Sequence, residues 1–170
     1  MINANLLGEN VSSSSTDAFS GFEKSVFGQK VSGKVVYSFS EALFLVEGKK
    51  MDVFSGKKKL GFDALLKKFL RFDKKIQMKY AVFSDLRKKG YVVKTALKFG
   101  ADFRVYEKGK KMGESHARWI VFVENESNKT TWNEFSSKNR VAHSTKKKLL
   151  LAIVDDERDV LYYEVGWVKP

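Results

Sequence analysis

In the stretch GFDALLKKFLRF, apolar residues fall at positions 62, 65, 66, 69 and 70, and lysines take the opposite side. That is the i, i+3, i+4, i+7, i+8 spacing of one helix face, so it predicts an amphipathic helix from Phe62. Ile76, Tyr80, Phe83 and Leu86 share a face in the same way, which predicts a second helix over 74–89 with Gly90 as its stop. A shorter helix is marked by its start. Ser38 and Glu41 stand in the S-x-x-E spacing of a capping box ahead of EALFLVE, and Gly48 follows it.

Beyond Gly90 the period changes. YVVKTAL, FGADFRVYE and ARWIVFVEN are rich in β-branched and aromatic residues and read as strands. TTWNEFSSKNRVAHSTKK predicts a short helix with loops. LLLAIVD reads as a buried strand, DER as a turn and VLYYEVGWVKP as a closing strand, the two strands forming an antiparallel hairpin.

In the first third, KVVYSF and MDVF read as strands and SGKKKLG as a turn. DAFSGFEKSVFGQKVSGKVVYSF, with glycines at 21, 28 and 33, predicts short strands and turns, KVVYSF being the clearest strand in it. Residues 1–17, polar and containing the run Ser12 to Ser15, read as a flexible N-terminal arm. With the charged step RFDKK as boundary, an N-terminal α/β domain is expected over 18–75 and a strand-rich C-terminal domain over 76–170. The class is two small α/β domains, or α+β.

Composition narrows the chemistry. The chain has no cysteine, which removes disulfides and thiolate metal sites, and its two histidines, His116 and His143, lie outside any HExxH-type spacing. No metal and no cofactor is therefore the starting expectation. Lys and Arg number 32 against 20 acidic residues, a net charge of +12, and six of the 32 are Arg. Such an excess points to a polyanionic partner, most simply nucleic acid, although a lysine-rich or heat-adapted surface also carries it. No apolar run approaches the ~20 residues of a membrane span, and the N-terminus lacks the basic and apolar regions of a signal peptide, so a cytosolic (cytoplasmic) protein is expected.

Three groups could carry chemistry. Strand alternation puts Asp102, Arg104 and Tyr106 on one face of GADFRVYE, with Phe103 and Val105 on the core side. Tyr106 then stands on the polar face before the turn KGKKMGES, and His116 stands where the next strand begins. The block Lys146 to Lys148 precedes LLLAIVD, where one lysine could hold a phosphate. Each also has an ordinary reading: a packing tyrosine, a loop histidine, a solvated charge run.

Together they suit RNA cleavage. A base takes the ribose 2′-hydroxyl proton, an acid protonates the leaving 5′-oxygen, and a cation stabilises the phosphorane. Histidine is the natural acid near neutral pH, while a tyrosine is a poor base there unless a nearby cation favours its deprotonated form. A metal-dependent DNA nuclease would need clustered carboxylates beside a lysine, and only Asp102 is well placed.

At these residues the chain resembles the archaeal tRNA-splicing (tRNA-intron) endonucleases. The likeness is dense from Lys79 to Pro170, through KYAVFSDLRKKGYVVKTALKFGADFRVYEKG, SHARWIVFV and RVAHSTKKKLLLAIVD. It is looser through SFSEALFLVEGKKMDVF and LGFDALLKKFL. The resemblance implies a small N-terminal α/β domain followed by a nuclease-like mixed β-sheet catalytic domain with flanking helices. It implies an endoribonuclease that excises introns from precursor tRNA at bulge–helix–bulge junctions, leaving 2′,3′-cyclic phosphate and 5′-hydroxyl ends without a metal.

Tyr106 would be the general base, His116 the general acid and Lys147 the stabilising cation, with Lys146 and Lys148 as alternatives for the last. Arg140 would clamp a bulge base, with Trp167 standing where some members carry Arg. The acidic turn Asp155, Asp156, Glu157 and Asp159 would dock into a basic cleft of a neighbouring subunit, and the last strand would be a dimer edge. The assembly implied is a homotetramer or an α2β2 heterotetramer with a related subunit. The rival reading is a non-catalytic RNA-binding or scaffold subunit of the same assembly.

Overall fold

The computed structural model describes residues 1–109 and 116–170. It divides into two compact units, residues 1–80 and 81–170. The division falls after Tyr80, inside a helix.

The first unit is built on a six-stranded sheet. Its elements are β1 (Ile2–Leu7), β2 (Asn10–Ser13), α1 (Thr16–Ser25), β3 (Gln29–Val31), β4 (Lys34–Tyr37), α2 (Phe39–Glu47), β5 (Met51–Ser55), β6 (Lys58–Leu60) and α3 (Phe62–Phe69). The strand order is β3-β4-β2-β1-β5-β6, with β1 and β5 parallel and every other pair antiparallel. The helices predicted over EALFLVE and from Phe62 are α2 and α3. Leu43 of α2, Leu65 and Phe69 of α3, and Met51 and Val53 of β5 are fully buried, and Phe39 stacks on Phe69 with ring centroids 4.0 Å apart. Burying each such side chain contributes about 1.5–3 kcal/mol, which holds helices of only two to three turns in place.

Two expectations fail here. The flexible arm expected over 1–17 is instead β1 and β2, and β1 lies inside the sheet with partners on both sides. Ile2, Ala4 and Leu6 point into the core at alternate positions, so the asparagines between them face outward. Of the short strands and turns expected after residue 17, the strand β3 and the turn that follows it form, but the first part of the stretch is instead α1. Ser15, part of the supposed linker, is its N-cap and accepts from the Ala18 N–H at 3.3 Å, while Asp17 favours the first turn and Lys24 the last. Gly21 is helical, and a Cβ there would meet the Ile2 side chain at 3.5 Å. The turn expected over SGKKKLG is tighter than expected, because Lys58–Leu60 already pair as β6.

The second unit takes in most of α4 (Ile76–Lys88), then β7 (Val92–Ala96), β8 (Ala101–Tyr106), β9 (Trp119–Asn125), α5 (Trp132–Ser144), β10 (Lys148–Val154) and β11 (Val160–Val165). These strands form a mixed sheet in the order β11-β10-β9-β8-β7. β10 and β11 form the antiparallel hairpin read from the sequence. The parallel pair β9–β10 requires a crossover, and α5 supplies it. α4 packs through Phe83 against Phe103, with ring centroids 5.9 Å apart. α5 contributes Ala142 to a cluster with Ala96, Ala101, Ile120 and Leu149. Among the described residues, no helix is long and apolar enough to cross a membrane.

Candidate active site

Strand direction decides which chain ends meet. β8 runs antiparallel to β9, and β9 runs parallel to β10. The end of β8 therefore lies beside the start of β9, and the start of β10 lies on the far side of β9, two strand spacings of about 4.8 Å from β8. Tyr106 is the last residue of β8, His116 stands just ahead of β9, and Lys147 immediately precedes β10. Two backbone hydrogen bonds fasten this end of the sheet. The Arg118 N–H donates to the Val105 carbonyl at 2.9 Å, and the Lys148 N–H donates to the Arg118 carbonyl at 2.9 Å. Most of the turn KGKKMGES lies outside the described residues.

The lysine block is sorted by the way α5 ends. The Lys146 N–H donates to the His143 carbonyl at 3.0 Å, and the Lys147 N–H donates to the Ala142 carbonyl at 2.9 Å. This pair of bonds is a Schellman closure, with Thr145 as C-cap and Lys146 in the left-handed position at φ 55°. Glycine usually takes that position, and a side chain there costs about 1 kcal/mol. The three lysines then part. Lys146 is exposed. Lys148 ends in an ion pair with Glu164, Nζ to Oε1 at 2.9 Å.

Lys147 keeps the alternation of Leu149, which registers with Ile120, which registers with Arg104. Lys147 and Tyr106 therefore belong to the same sheet face. The half-buried Lys147 ammonium donates to the Thr145 carbonyl at 2.9 Å and lies 5.6 Å from the Phe99 ring centroid.

The expected alternation along β8 holds for Asp102 and Arg104, which are half-buried, but Tyr106 is only 7% exposed. The tyrosine of the polar face is thus also largely packed. His116 is exposed. The Asp102 carboxylate accepts from the Val123 N–H at 2.8 Å and so is engaged with the backbone of β9. The buried Arg104 Nε has no hydrogen-bond partner among the described residues, and Lys94, its register neighbour on β7, is itself buried.

Sequence reasoning missed the group that occupies Lys148. The Trp119 indole N–H donates to Glu164 Oε2 at 2.7 Å, and the Arg118 guanidinium lies over the Trp119 ring and donates to Glu107 at 2.6 Å. The Trp119 hydrogen bond first, and then Lys148, hold the Glu164 carboxyl below the usual carboxylate range. The only sequence signal was the hairpin register, which pairs Glu164 with Leu150, two residues beyond Lys148 on its face.

Arg140 and Trp167 line one groove of about 740 Å3, between α5 and the residues that follow β11. Trp167 is 65% exposed and meets the His143 ring edge-on at 4.2 Å. His143 had no role in the sequence reading, although it stands at i+3 from Arg140 and so shares its helix face. The acidic turn closes on itself. The Asp159 N–H donates to the Asp155 carboxylate at 2.8 Å, and the Arg158 N–H donates to the Asp155 carbonyl at 3.1 Å. Asp156, Glu157 and Asp159 form no ion pair among the described residues and are exposed.

Comparison with known proteins matches both units. A family model for the tRNA intron endonuclease catalytic C-terminal domain matches residues 76–162, and one for the tRNA intron endonuclease N-terminal domain matches residues 2–66. A tRNA-splicing endonuclease of Thermococcus kodakarensis is 41% identical over 165 residues, 96% of each chain. One of Nanoarchaeum equitans is 43% identical over 136 residues, covering 76% of this chain and 87% of that one. One of Methanothermobacter thermautotrophicus is 37% identical over 147 residues, covering 86% and 85%.

Proposed function

Because the chain belongs to the tRNA intron endonuclease family, we propose that it excises introns from precursor tRNA as a catalytic subunit, cutting at bulge–helix–bulge junctions. Tyr106 takes the proton from the ribose 2′-hydroxyl at the cleavage site, and the 2′-oxygen attacks the adjacent phosphorus. Lys147 stabilises the charge that builds on the non-bridging oxygens. His116 gives a proton to the departing 5′-oxygen. One strand ends in a 2′,3′-cyclic phosphate and the other in a 5′-hydroxyl, with no metal in the reaction and no cofactor.

One observation carries the reading: the end of β8 and the starts of β9 and β10 follow one another across the sheet, with Tyr106 closing the first and His116 and Lys147 just ahead of the other two. The parity of Lys147 with Tyr106, and the ion pair that occupies Lys148, favour Lys147 among the three lysines. Arg140 and Trp167 hold an extruded bulge base in the groove they share. The chain works in a tetramer, as four copies or as two copies with two related subunits. Leu161 and Tyr163, exposed on the edge strand β11, support subunit contact there, and the free carboxylates of the acidic turn support docking on a basic neighbour.

The test is to incubate the purified chain with a precursor tRNA in excess EDTA and to analyse the new ends. Cleavage that leaves a cyclic phosphate supports the mechanism, and loss of cleavage on chelation overturns it. Light scattering on the same sample decides the assembly. An active homotetramer needs no second subunit, and an inactive dimer calls for one.

A further inference from the structure

Positive charge in the first unit is unevenly spread. Residues 1–48 carry three Lys against five acidic residues, whereas residues 49–80 carry eleven Lys and Arg against three. Two of those three acids are already engaged, Asp52 with Lys59 at 2.7 Å and Asp73 with Lys79 at 2.8 Å. Lys57, Lys58, Lys67, Lys68, Arg71 and Lys74 form no ion pair among the described residues. Like charges gathered without partners repel one another and weaken the fold. A bound polyanion offsets that cost.

The charge also has a pocket. A cavity of about 180 Å3 opens where the parallel strands β1 and β5 end, lined by Leu6 and Ser55 from those ends and by Lys68, Arg71 and Phe72. The crevice beyond the carboxyl ends of parallel strands is where open α/β sheets bind ligands. Lys68 is half-buried, Arg71 is exposed, and Phe72 is 48% exposed with its ring 6.2 Å from that of Phe39. Gly8, also in the lining, lies at φ +61° with open space where a Cβ would stand, so a ligand can approach the backbone there. Two cations beside an exposed aromatic ring match one nucleotide of single-stranded nucleic acid, with phosphate on the cations and base on the ring.

We propose that this pocket is a second RNA contact, in which Lys68 and Arg71 hold a phosphate of an unpaired segment of the substrate and Phe72 stacks on its base. The proposal rests on the reading of the chain as an RNA endonuclease. It adds a contact in the unit that lacks the candidate catalytic groups.

The test uses the full chain and its precursor tRNA. The double variant Lys68→Glu/Arg71→Glu is expected to raise KM about tenfold and to lower the steepness of the log–log salt dependence by about 0.7–0.9, one phosphate's share on a single strand or duplex. Phe72→Leu is expected to raise KM at least about fivefold. The control, Lys24→Glu/Lys34→Glu, makes the same charge change at exposed positions of the same unit. If the control weakens binding as much as the pocket variant, or if neither pocket variant changes KM, the pocket is not a contact. A wild-type chain that cuts no precursor tRNA, either alone or assembled with a related subunit, overturns the enzymatic reading instead. The pocket is then judged by Kd for a single-stranded oligoribonucleotide, where unchanged affinity in Lys68→Glu/Arg71→Glu overturns it.

Discussion

The two units use the same polar device for different ends. Each has a helix opened by a capping box, Ser38 with Glu41 on α2 and Thr131 with Glu134 on α5. Glu134 is exposed and serves only its own helix end. Glu41 is 4% exposed. It accepts from the Ser38 N–H at 2.9 Å and also from the Gly28 N–H at 2.9 Å, thirteen residues away, so the cap doubles as a tie across the core. Beside it, burial first and the Glu41 charge second push the Tyr37 phenol well above its usual range. The first unit thus turns polar groups inward as structure. The second brings Tyr106, His116 and Lys147 to one end of its sheet, with His116 exposed and Lys147 half-buried. The lesson is that a shared motif does not fix a shared burden, because burial sets what each polar group is worth.

That contrast can be broken at several points. The largest effect is expected from His116→Ala and Lys147→Ala, each lowering cleavage by about 10²–10⁴-fold with an unchanged melting temperature. Lys148→Ala should cost far less activity. Equal losses from Lys147→Ala and Lys148→Ala would erase the distinction drawn from the sheet faces. Next comes Glu41→Ala, which strands the buried Gly28 N–H and the α2 cap and should destabilise by about 3 kcal/mol in a urea titration. A change below about 1 kcal/mol would mean that water replaces the carboxylate.

Gly28→Ala follows, at about 2 kcal/mol, because its Cβ would collide with a Val35 methyl at a φ of +77°. Lys146→Gly should raise stability by about 0.5–1 kcal/mol by relieving the left-handed lysine, and a loss of stability there would contradict the Schellman geometry.

The smallest effect belongs to Glu134→Gln. Hydrogen bonds from the Thr131 backbone and side chain hold this carboxyl below its usual range. A lowered folded-state pKa stabilises above the unfolded value, and that contribution disappears as the pH falls through the folded value. The variant should therefore melt slightly lower than wild type at neutral pH and equally in strong acid. A difference that persists in acid would point to a cause other than charge.

Legibility followed the length of the pattern. α3 and α4 could be read because an apolar stripe repeats over two or more turns, and β8 to β10 because β-branched and aromatic residues cluster. The capping residues Ser38 and Glu41 marked α2 directly. β1 was missed because the alternation Ile2, Ala4, Leu6 is short and is interleaved with asparagine, a poor strand former. α1 was missed because Gly21 and the serine run imitate loop composition, while its stability comes from a cap and from packing on distant residues. The candidate site divides in the same way. Residue types and spacing brought out Tyr106, His116 and the lysine block. The sorting of the three lysines needed the φ of Lys146 and the register of Glu164, neither of which is local in sequence. The groove joining Arg140, His143 and Trp167 required the fold to bring α5 beside the end of the chain.

The inner position of β1 bears on the order in which the first unit can form. Its parallel partner is β5, so Ile2–Leu7 pairs on that side with Met51–Ser55. As the chain leaves the ribosome, the hairpin of β1 with β2 can close early. The other edge of β1 must wait, open, for more than forty residues of further synthesis. Pairing of such high contact order is slow, and an open strand edge invites association with other chains. The first seven residues are then the earliest part of this unit to be made and among the last to be completed.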